Sequence, residues 1–410
     1  MKRVVITGIG AITPLANNFI DSWSLLNKGI SGIDRITRFD VEGLRWKVAG
    51  EVKGFDPNLF LSKKEASKLD LFVQYAVAAA LIASKDAGLS RVKLEDKLTR
   101  QSGVIIGSSR GGITTIEKEL SRLLTLNAKL SPYIMPSSTI NMAASYTAQK
   151  LGINGLCLGV SNACASGANA IGEAYRAIKH GYSDIIFAGG TEAPVCRLCV
   201  EGYGMSNALS KINSPSASRP FDRNRDGFVI AEGACILVLE SYESAIKRDA
   251  KIYAEIIGYS NTTDAFHITK PDPEGEAMCI DMALKDANIL MDNIDYINAH
   301  GTSTILGDEA ESSAVNKLFK DRANKISASA LKSMTGHMLA ASGAFETACT
   351  AMSIKENKIP PTINIKEKDI KCSINIITEN KEADINIAIT NSFGFGGVNA
   401  VLVLKKVENG

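Results

Sequence analysis

The chain is 410 residues long, 45% hydrophobic and 22% charged, with a formal net charge of +2. That is the balance of a globular protein large enough for two core-bearing layers or domains, and so small a charge excludes a general nucleic-acid binder, which needs a basic stripe. No uninterrupted apolar run approaches a membrane span; Ala76 to Ala83 is the nearest and is too short.

Taken in chain order, the first segment is Lys2-Arg3 followed by apolar residues. Gly8, Gly10 and Pro14 interrupt it and its alternation is that of a buried strand, so it is not a secretion signal; a strand over Arg3–Thr7 and a cytoplasmic location are expected. Gly8-Ile9-Gly10 is not a dinucleotide loop, because Thr13-Pro14 replaces the third glycine and the helix start. Leu69, Phe72, Val73, Ala76 and Ala80 recur at helical spacing and predict a helix over Lys64–Gly88. Strands follow at Gly103–Gly107 and Leu156–Val160, and a helical run extends from Gly167 to His180, where His180 complements the C-terminal dipole. Further strands are predicted at Ile185–Gly189 and Cys235–Glu240, with a Pro/Ser-rich surface loop over Asn213–Pro220.

After about Ala250 the pattern restarts. It predicts strand Tyr253–Gly258, surface loop Thr269–Gly275, helix Ala277–Asn288, strand Tyr296–Asn298, helix Glu309–Phe319 and strand Ile326–Ser329. Helix Met338–Glu356 and strands Ile385–Ile389 and Ala400–Leu404 complete it. Such alternation implies a sheet covered by helices. No low-complexity linker separates independent domains. The eight cysteines form neither a disulfide framework nor a metal-rich set. Cys196-Arg197-Leu198-Cys199 has C-x-x-C spacing without a second pair at zinc-ribbon distance, so no metal is expected and reduced thiols in an intracellular setting are.

The most informative stretch is Gly159-Val160-Ser161-Asn162-Ala163-Cys164-Ala165-Ser166-Gly167, where a strand ends and a helix begins. Helix-terminal N–H groups at such a junction stabilise a thiolate and can hold an oxyanion. Taken alone it reads equally well as a buried structural cysteine. Of four histidines, His300 opens His300-Gly301-Thr302-Ser303-Thr304, and His337 closes Leu331-Lys332-Ser333-Met334-Thr335-Gly336-His337. Both stand at C-terminal ends of predicted strands, where open α/β sheets gather their sites. A third turn, Asn391-Ser392-Phe393-Gly394-Phe395-Gly396-Gly397, follows a strand and can present backbone N–H groups.

With these four motifs, in this order and spacing, the chain resembles the type II 3-oxoacyl-(acyl-carrier-protein) synthases of the condensing-enzyme group. The resemblance runs from Val4-Val5-Ile6-Thr7-Gly8-Ile9-Gly10 to the last strand. It implies a thiolase-like α/β fold, two similar βαβαβαββ halves forming a five-layered αβαβα core. The halves are expected over 1–250, carrying the nucleophilic cysteine, and 251–410, carrying the two histidines and the glycine-rich gate. It also implies Cys164 as the acyl-accepting nucleophile with a low thiol pKa, the backbone N–H groups of Cys164 and Phe395 as the oxyanion hole, and His300 and His337 as neutral donors to the enolate formed when a malonyl thioester loses CO₂. Phe393 and Phe395 match the aromatic gate, Thr302 and Thr304 the malonyl and pantetheine side, and Lys332 and Glu346 a buried pair that orders the site or is purely structural. His267 matches a mobile loop facing the gate. No cofactor is implied beyond the phosphopantetheine carried by the acyl carrier protein, which is the implied partner; a homodimer is implied as well.

Departures from the family pattern carry their own expectations. Arg110, in Gly107-Ser108-Ser109-Arg110-Gly111-Gly112, stands at a usually apolar position at the far end of the acyl pocket. It either pairs with an acid and shortens the pocket, turns into the subunit interface, or binds a polar or carboxylate-ended acyl group. Lys63, Lys64, Lys68 and Lys129 keep part of a basic ring suited to docking an acidic carrier, while Ser67, Ala128 and Asn207 thin it. Asn162, Ile305 and Val398 replace the usual Thr, Pro and Thr, with local effects expected. A ketosynthase of a dedicated polyketide or unusual-lipid pathway is therefore the alternative to fatty-acid elongation. A thiolase would need a second cysteine in the C-terminal glycine turn, and a non-catalytic chain-length partner would lack the nucleophile.

Overall fold

The computed structural model describes residues 1–89 and 101–407. Ten strands build the main sheet. The first part of the chain supplies β1 (Val4–Ile12), β2 (Ser102–Gly107), β3 (Cys157–Val160), β4 (Ile185–Glu192) and β5 (Gly233–Ser241). The second supplies β6 (Glu255–Thr263), β7 (Tyr296–Asn298), β8 (Ser327–Ser329), β9 (Ile387–Gly394) and β10 (Val398–Lys405). The longer helices are α1 (Phe19–Asn27), α2 (Leu71–Asp86), α3 (Ile113–Leu126), α4 (Met142–Leu151), α5 (Ser166–Lys179), α6 (Arg197–Met205), α7 (Pro273–Ala287), α8 (Ile305–Phe319) and α9 (Ala340–Glu356).

The repeat that is faint in sequence is explicit in the pairing. The spatial order is β3-β2-β4-β5-β1 in one half and β8-β7-β9-β10-β6 in the other, so third, second, fourth, fifth and first strands follow each other in both. Directions agree too: β2 is parallel to β3 and β4, while β5 is antiparallel to β4 and β1. In the same way β7 is parallel to β8 and β9, while β10 is antiparallel to β9 and β6. The halves meet where the two first strands pair, Val4 with Ile256 and Val5 with Glu255. Helices α2 and α4 cover one outer face, α7 and α8 cover the other, and α5 and α9 pack between the half-sheets. This is the five-layered αβαβα arrangement. Gly8 in β1 and Gly258 in β6 show the repeat at atomic scale: a Cβ on either would lie 2.5 Å from a carbonyl of the crossing helix, Ala83 or Ala283.

Burial explains which segments became central. From Ala340 to Ile354 every residue of α9 is buried, and its Ala, Ser, Gly and Thr content lets it sit between two sheets. The expected long helix over Lys64–Gly88 is instead two pieces. Ser62 and Glu65 form a capping box on the single turn Lys63–Ala66, and Asp70 caps α2 by accepting from the Phe72 N–H. The Asp70 carboxylate also accepts from the Thr114 and Thr115 hydroxyls at 2.7 and 2.6 Å, a tertiary use that periodicity does not encode. Strand β9 runs further than expected, with Asn391, Ser392 and Phe393 buried in it. The turn proper is Phe395-Gly396-Gly397, with Gly396 and Gly397 at φ +88° and +70°. No helix among the described residues is long and apolar enough to cross a membrane.

Candidate active site

Cys164 lies in the bend between β3 and α5. Ala163, just before it, is held at φ +46°, a left-handed conformation that costs a non-glycine residue about 1–2 kcal/mol. Ser166 offsets that strain: its Oγ accepts from the Asn162 N–H at 2.8 Å and donates to the Ala163 carbonyl at 2.6 Å. Packing fixes the bend from behind. A Cβ on Gly167 would lie 2.2 Å from the Ala340 carbonyl oxygen, so the starts of the two central helices touch. In front, a Cβ on Gly394 would stand 3.1 Å from the Cys164 amide nitrogen, which brings the β9 turn against the cysteine. The Phe395 N–H is directed at the Cys164 sulfur.

The thiol is not low-pKa in this state, contrary to expectation. Burial pushes it up to about 11, against the opposing pull of Lys332, Arg110 and the Phe395 N–H. The protein surrounds a neutral thiol with groups that favour the thiolate, and none outweighs the loss of solvent.

His300 follows β7, whose register places it at a strand end: Ala299 donates to the Ser329 carbonyl at 2.9 Å. His337 is pinned through its backbone, donating to Val229 O at 2.7 Å and accepting from Ala231 N at 2.9 Å. The two rings lie 5.4 Å apart, edge to face, and both are buried. Burial holds each imidazole well below its usual titration range, and the Lys332 charge adds to it. Their tautomers follow from their partners. Lys332 Nζ, which can only donate, sits 3.3 Å from His300 Nδ1, so the His300 proton is on Nε2. Ser342 Oγ lies 3.2 Å from His337 Nδ1 and accepts from the Met338 N–H, and its own hydroxyl proton can be donated to Nδ1. With that donation the His337 proton is on Nε2. Two neutral imidazoles thus keep N–H donors.

Lys332 and Glu346 are 1% and 2% exposed and 2.5 Å apart, and Lys332 also donates to the His300 carbonyl at 2.6 Å. Burial pushes the Glu346 carboxyl up to about 7 although Lys332 pulls it down. Sequence reasoning missed Glu311. Its carboxylate accepts from the His300 and Gly301 N–H groups, both at 2.8 Å, and from Asn391 Nδ2 at 2.9 Å, tying the histidine loop to β9. A signal was present: Asp308, Glu311 and Val315 recur at helical spacing, putting two acids on the stripe that α8 buries.

The cysteine, the two histidines and the glycine turn meet at one cavity of about 400 Å³. Cys164, His300, His337, Phe393, Phe395, Thr302 and Thr304 all line it, and Cys164 is the only cysteine among the described residues that does. Thr304 also caps α8, its Oγ1 accepting from Gly307 N, and lies 2.9 Å from Thr302 Oγ1. Tyr203 on α6, with no motif around it, is an unforeseen part of the lining. Arg110 is not in the lining; it reaches Tyr203 from behind, Nε donating to the hydroxyl at 2.8 Å. It is exposed and forms no ion pair among the described residues, so of its three expected alternatives pairing with an acid is not the one seen there. Lys63, Lys64 and Lys129 are exposed, and Lys68 lies 4.5 Å over the Tyr133 ring. The mouth of the cavity carries a different cation, Lys270. His267, likewise outside the lining, is exposed and accepts from Thr269 and Lys270 N–H groups through Nδ1.

A half-buried cysteine at a strand-to-helix bend, two neutral imidazoles and a glycine turn in one cavity define a condensing-type acyltransferase on a thiolase-like fold. Residues 1–245 match the beta-ketoacyl synthase N-terminal domain and residues 253–366 the C-terminal domain. The chain belongs to the beta-ketoacyl synthase family. It is 44% identical over 412 residues to the 3-oxoacyl-[acyl-carrier-protein] synthase 2 of Coxiella burnetii, with 99% of each chain covered. Among solved structures it is similar to the ishigamide ketosynthase/chain length factor, at TM-score 0.93 and 36% identity over 99% of this chain and 100% of that one. A type II polyketide ketosynthase bound to a hexaketide, in complex with its acyl-carrier protein, matches at TM-score 0.90 and 34% identity, with the same coverage.

Proposed function

We propose that this chain transfers an acyl group from acyl carrier protein to Cys164 and condenses it with malonyl carrier protein in fatty-acid elongation. The observation that carries the reading is the pair of buried, neutral imidazoles in the cavity of a single cysteine. In the first step the Cys164 sulfur attacks the carrier thioester. A new C–S bond forms, the carrier thiol leaves with a proton, and the Cys164 and Phe395 N–H groups hold the oxyanion. In the second, the malonyl C–C bond to the carboxylate breaks and CO₂ departs. The electron pair moves into an enolate whose oxygen accepts from His300 and His337. In the third, the enolate carbon attacks the Cys164 thioester, forming the new C–C bond, and the sulfur leaves as a thiolate that takes a proton from solvent. Lys332 is the positioning residue that fixes the His300 tautomer, Glu346 its counter-charge, and Glu311 the anchor of the His300 backbone.

The carrier identity is supported by the relatives' names and by the carrier complex of the polyketide ketosynthase. Exposed Lys63, Lys64 and Lys129, with Lys68, suit an acidic partner, and Thr302 and Thr304 suit its pantetheine arm. A homodimer is proposed on the edge strand β3, whose Cys157, Leu158 and Gly159 are exposed on this chain. Eight free thiols support a reducing, cytoplasmic setting. A thiolase reading lacks its second cysteine in the cavity. Intact mass after incubation with butyryl carrier protein tests the whole scheme. An adduct on the wild type and none on Cys164→Ala is expected, with CO₂ release from malonyl carrier protein persisting in the variant. An adduct that survives the substitution refutes it.

A further inference from the structure

The motif Cys196-Arg197-Leu198-Cys199 takes no part in the condensing chemistry, and the fold gives it a definite place. It opens α6: Cys196 is the N-cap, in extended backbone at φ −137° and ψ 164°, and Cys199 is the third helical residue. Side chains at those two positions lie over the same turn, as they do in a capping box. Glu117 of α3 caps the helix, its carboxylate accepting from the Arg197 and Leu198 N–H groups at 3.3 and 2.5 Å. The two thiols interact with each other instead. The hydrogen bond from Cys196 holds the Cys199 thiol below its ordinary value against the effect of burial, and the Arg110 guanidinium adds to it. No group of three His, Cys, Asp or Glu side chains among the described residues is placed to hold a metal ion. Cys196 and Cys199 are 5% and 7% exposed, but Arg197 and Leu198 between them face solvent. Fraying of one helical turn therefore opens the pair to small solutes. Cys164 packs in the same apolar group, yet burial pushes its thiol up to about 11.

We propose that Cys196 and Cys199 are a redox modification site, a dithiol that a hydroperoxide closes to a disulfide while Cys164 stays a thiol. The Cys199 thiolate attacks one peroxide oxygen; the O–O bond breaks, and for hydrogen peroxide the leaving hydroxide takes a proton and departs as water. Cys199 is then a sulfenic acid. The Cys196 sulfur attacks it, the S–S bond forms and the S–O bond breaks, and the hydroxyl leaves with the Cys196 proton as a second water. Two thiols are oxidised and one peroxide is reduced. A small dithiol reverses the step by exchange and leaves as its own disulfide. Oxidation of Cys164 would remove the acyl acceptor proposed above, whereas oxidation of the pair is undone by reductant. Tyr203, one turn beyond Cys199 on the same face of α6, places the pair directly behind the cavity wall.

The test is a hydrogen peroxide titration of the reduced wild-type chain near neutral pH, followed by unfolding in iodoacetamide, proteolysis and mass mapping. A Cys196–Cys199 linkage, lighter by two hydrogens, is expected at a dose about tenfold or more below the one that removes alkylatable Cys164, and dithiothreitol should reopen it. Cys196→Ser, which lacks the second thiol, should stop at a Cys199 sulfenic acid that dimedone traps. Cys199→Ser should leave Cys196 unreacted at the same dose. Loss of Cys164 at or before closure of the pair, a disulfide to any other cysteine, or equal reaction of the two serine variants overturns the proposal. The wild-type map decides the matter even if a variant does not fold. It also needs no condensing activity, so failure of the acyl-transfer reading and failure of this one are read separately.

Discussion

Lys332 makes three contacts at once, and removing it separates stability from chemistry. In Lys332→Met the Glu346 carboxylate loses its recorded partner at Oε1, and Oε2 has none to begin with. A buried charge stripped of its partner costs about 3–5 kcal/mol of folding free energy. The cost should depend on pH with a definite sign. The folded Glu346 carboxyl already sits up near 7 against an ordinary 4.5, because burial outweighs Lys332. A carboxyl raised in the folded state binds more protons there than in the unfolded chain, so its stability contribution falls as pH rises from about 4.5 through the folded value. Without Lys332 that window extends further upward, so urea midpoints of the variant should drop away from wild type above pH 7 and approach it near pH 5.

The second substitution isolates the chemistry. Lys332→Met with Glu346→Leu replaces the ion pair by apolar groups, which is often neutral or stabilising, and should recover most of the lost stability. It does not restore the donor to His300 Nδ1, so the ring is free to carry its proton on the wrong nitrogen. CO₂ release from malonyl carrier protein should then stay about 10²–10³-fold below wild type, the usual loss for one oxyanion donor. A double variant that regains both stability and decarboxylation would reduce the pair to a structural element and refute the tautomer argument.

Glu192→Gln removes another carboxyl that burial pushes up to about 7, and should flatten the fall in stability between pH 4.5 and 7, with a gain of at most ~3 kcal/mol at pH 8. Because burial pushes the Cys164 thiol up to about 11, its alkylation by iodoacetamide should rise close to tenfold per pH unit from 7 to 9; a plateau near neutrality would contradict the burial argument. Gly394→Ala puts a methyl 3.1 Å from Cys164 N and 3.0 Å from Val398 Cγ2, so acylation should fall more than about tenfold with little change in melting temperature. Gly167→Ala, facing the Ala340 carbonyl at 2.2 Å, should instead cost ~3 kcal/mol or more of stability, read by urea unfolding.

What the sequence made legible is what local chemistry marks. A cysteine between a strand and a helix, histidines beside glycines after strands, and a Gly-x-Gly-Gly turn all stand out from their neighbours, and the fold brings them into one cavity. Strand bounds were readable where burial makes a continuous apolar run, as in β2 and β5. Residues defined by a distant partner were not. Asp70 ends the expected long helix because Thr114 and Thr115 complete its hydrogen bonds some 45 positions away. Tyr203 has an unremarkable place on α6 and becomes cavity wall only because Arg110 and Phe395 meet it from other segments. Glu311 shows the intermediate case: periodicity says it is buried, and only the fold says what it holds.

The duplicated topology explains why so few residues suffice. Cys164 follows the third strand of the first half and leads into the central helix α5. His337 follows the third strand of the second half and leads into the central helix α9. The two positions are equivalent within the repeat, each preceded or followed by a left-handed residue, Ala163 at φ +46° and Leu339 at φ +47°. Because α5 and α9 pack start to start at Gly167 and Ala340, one repeat delivers its cysteine to the place where the other delivers its histidine. A symmetric scaffold thus produces an asymmetric site by changing one side chain per half, and rigidity between buried central helices keeps the pair in register. Thiol and imidazole differ in what burial does to them: it raises the cysteine and lowers the histidine, so both are held neutral. In the proposed reaction charge then arises on the sulfur and on the enolate oxygen, the groups assigned to the Phe395 N–H and the two imidazole N–H donors.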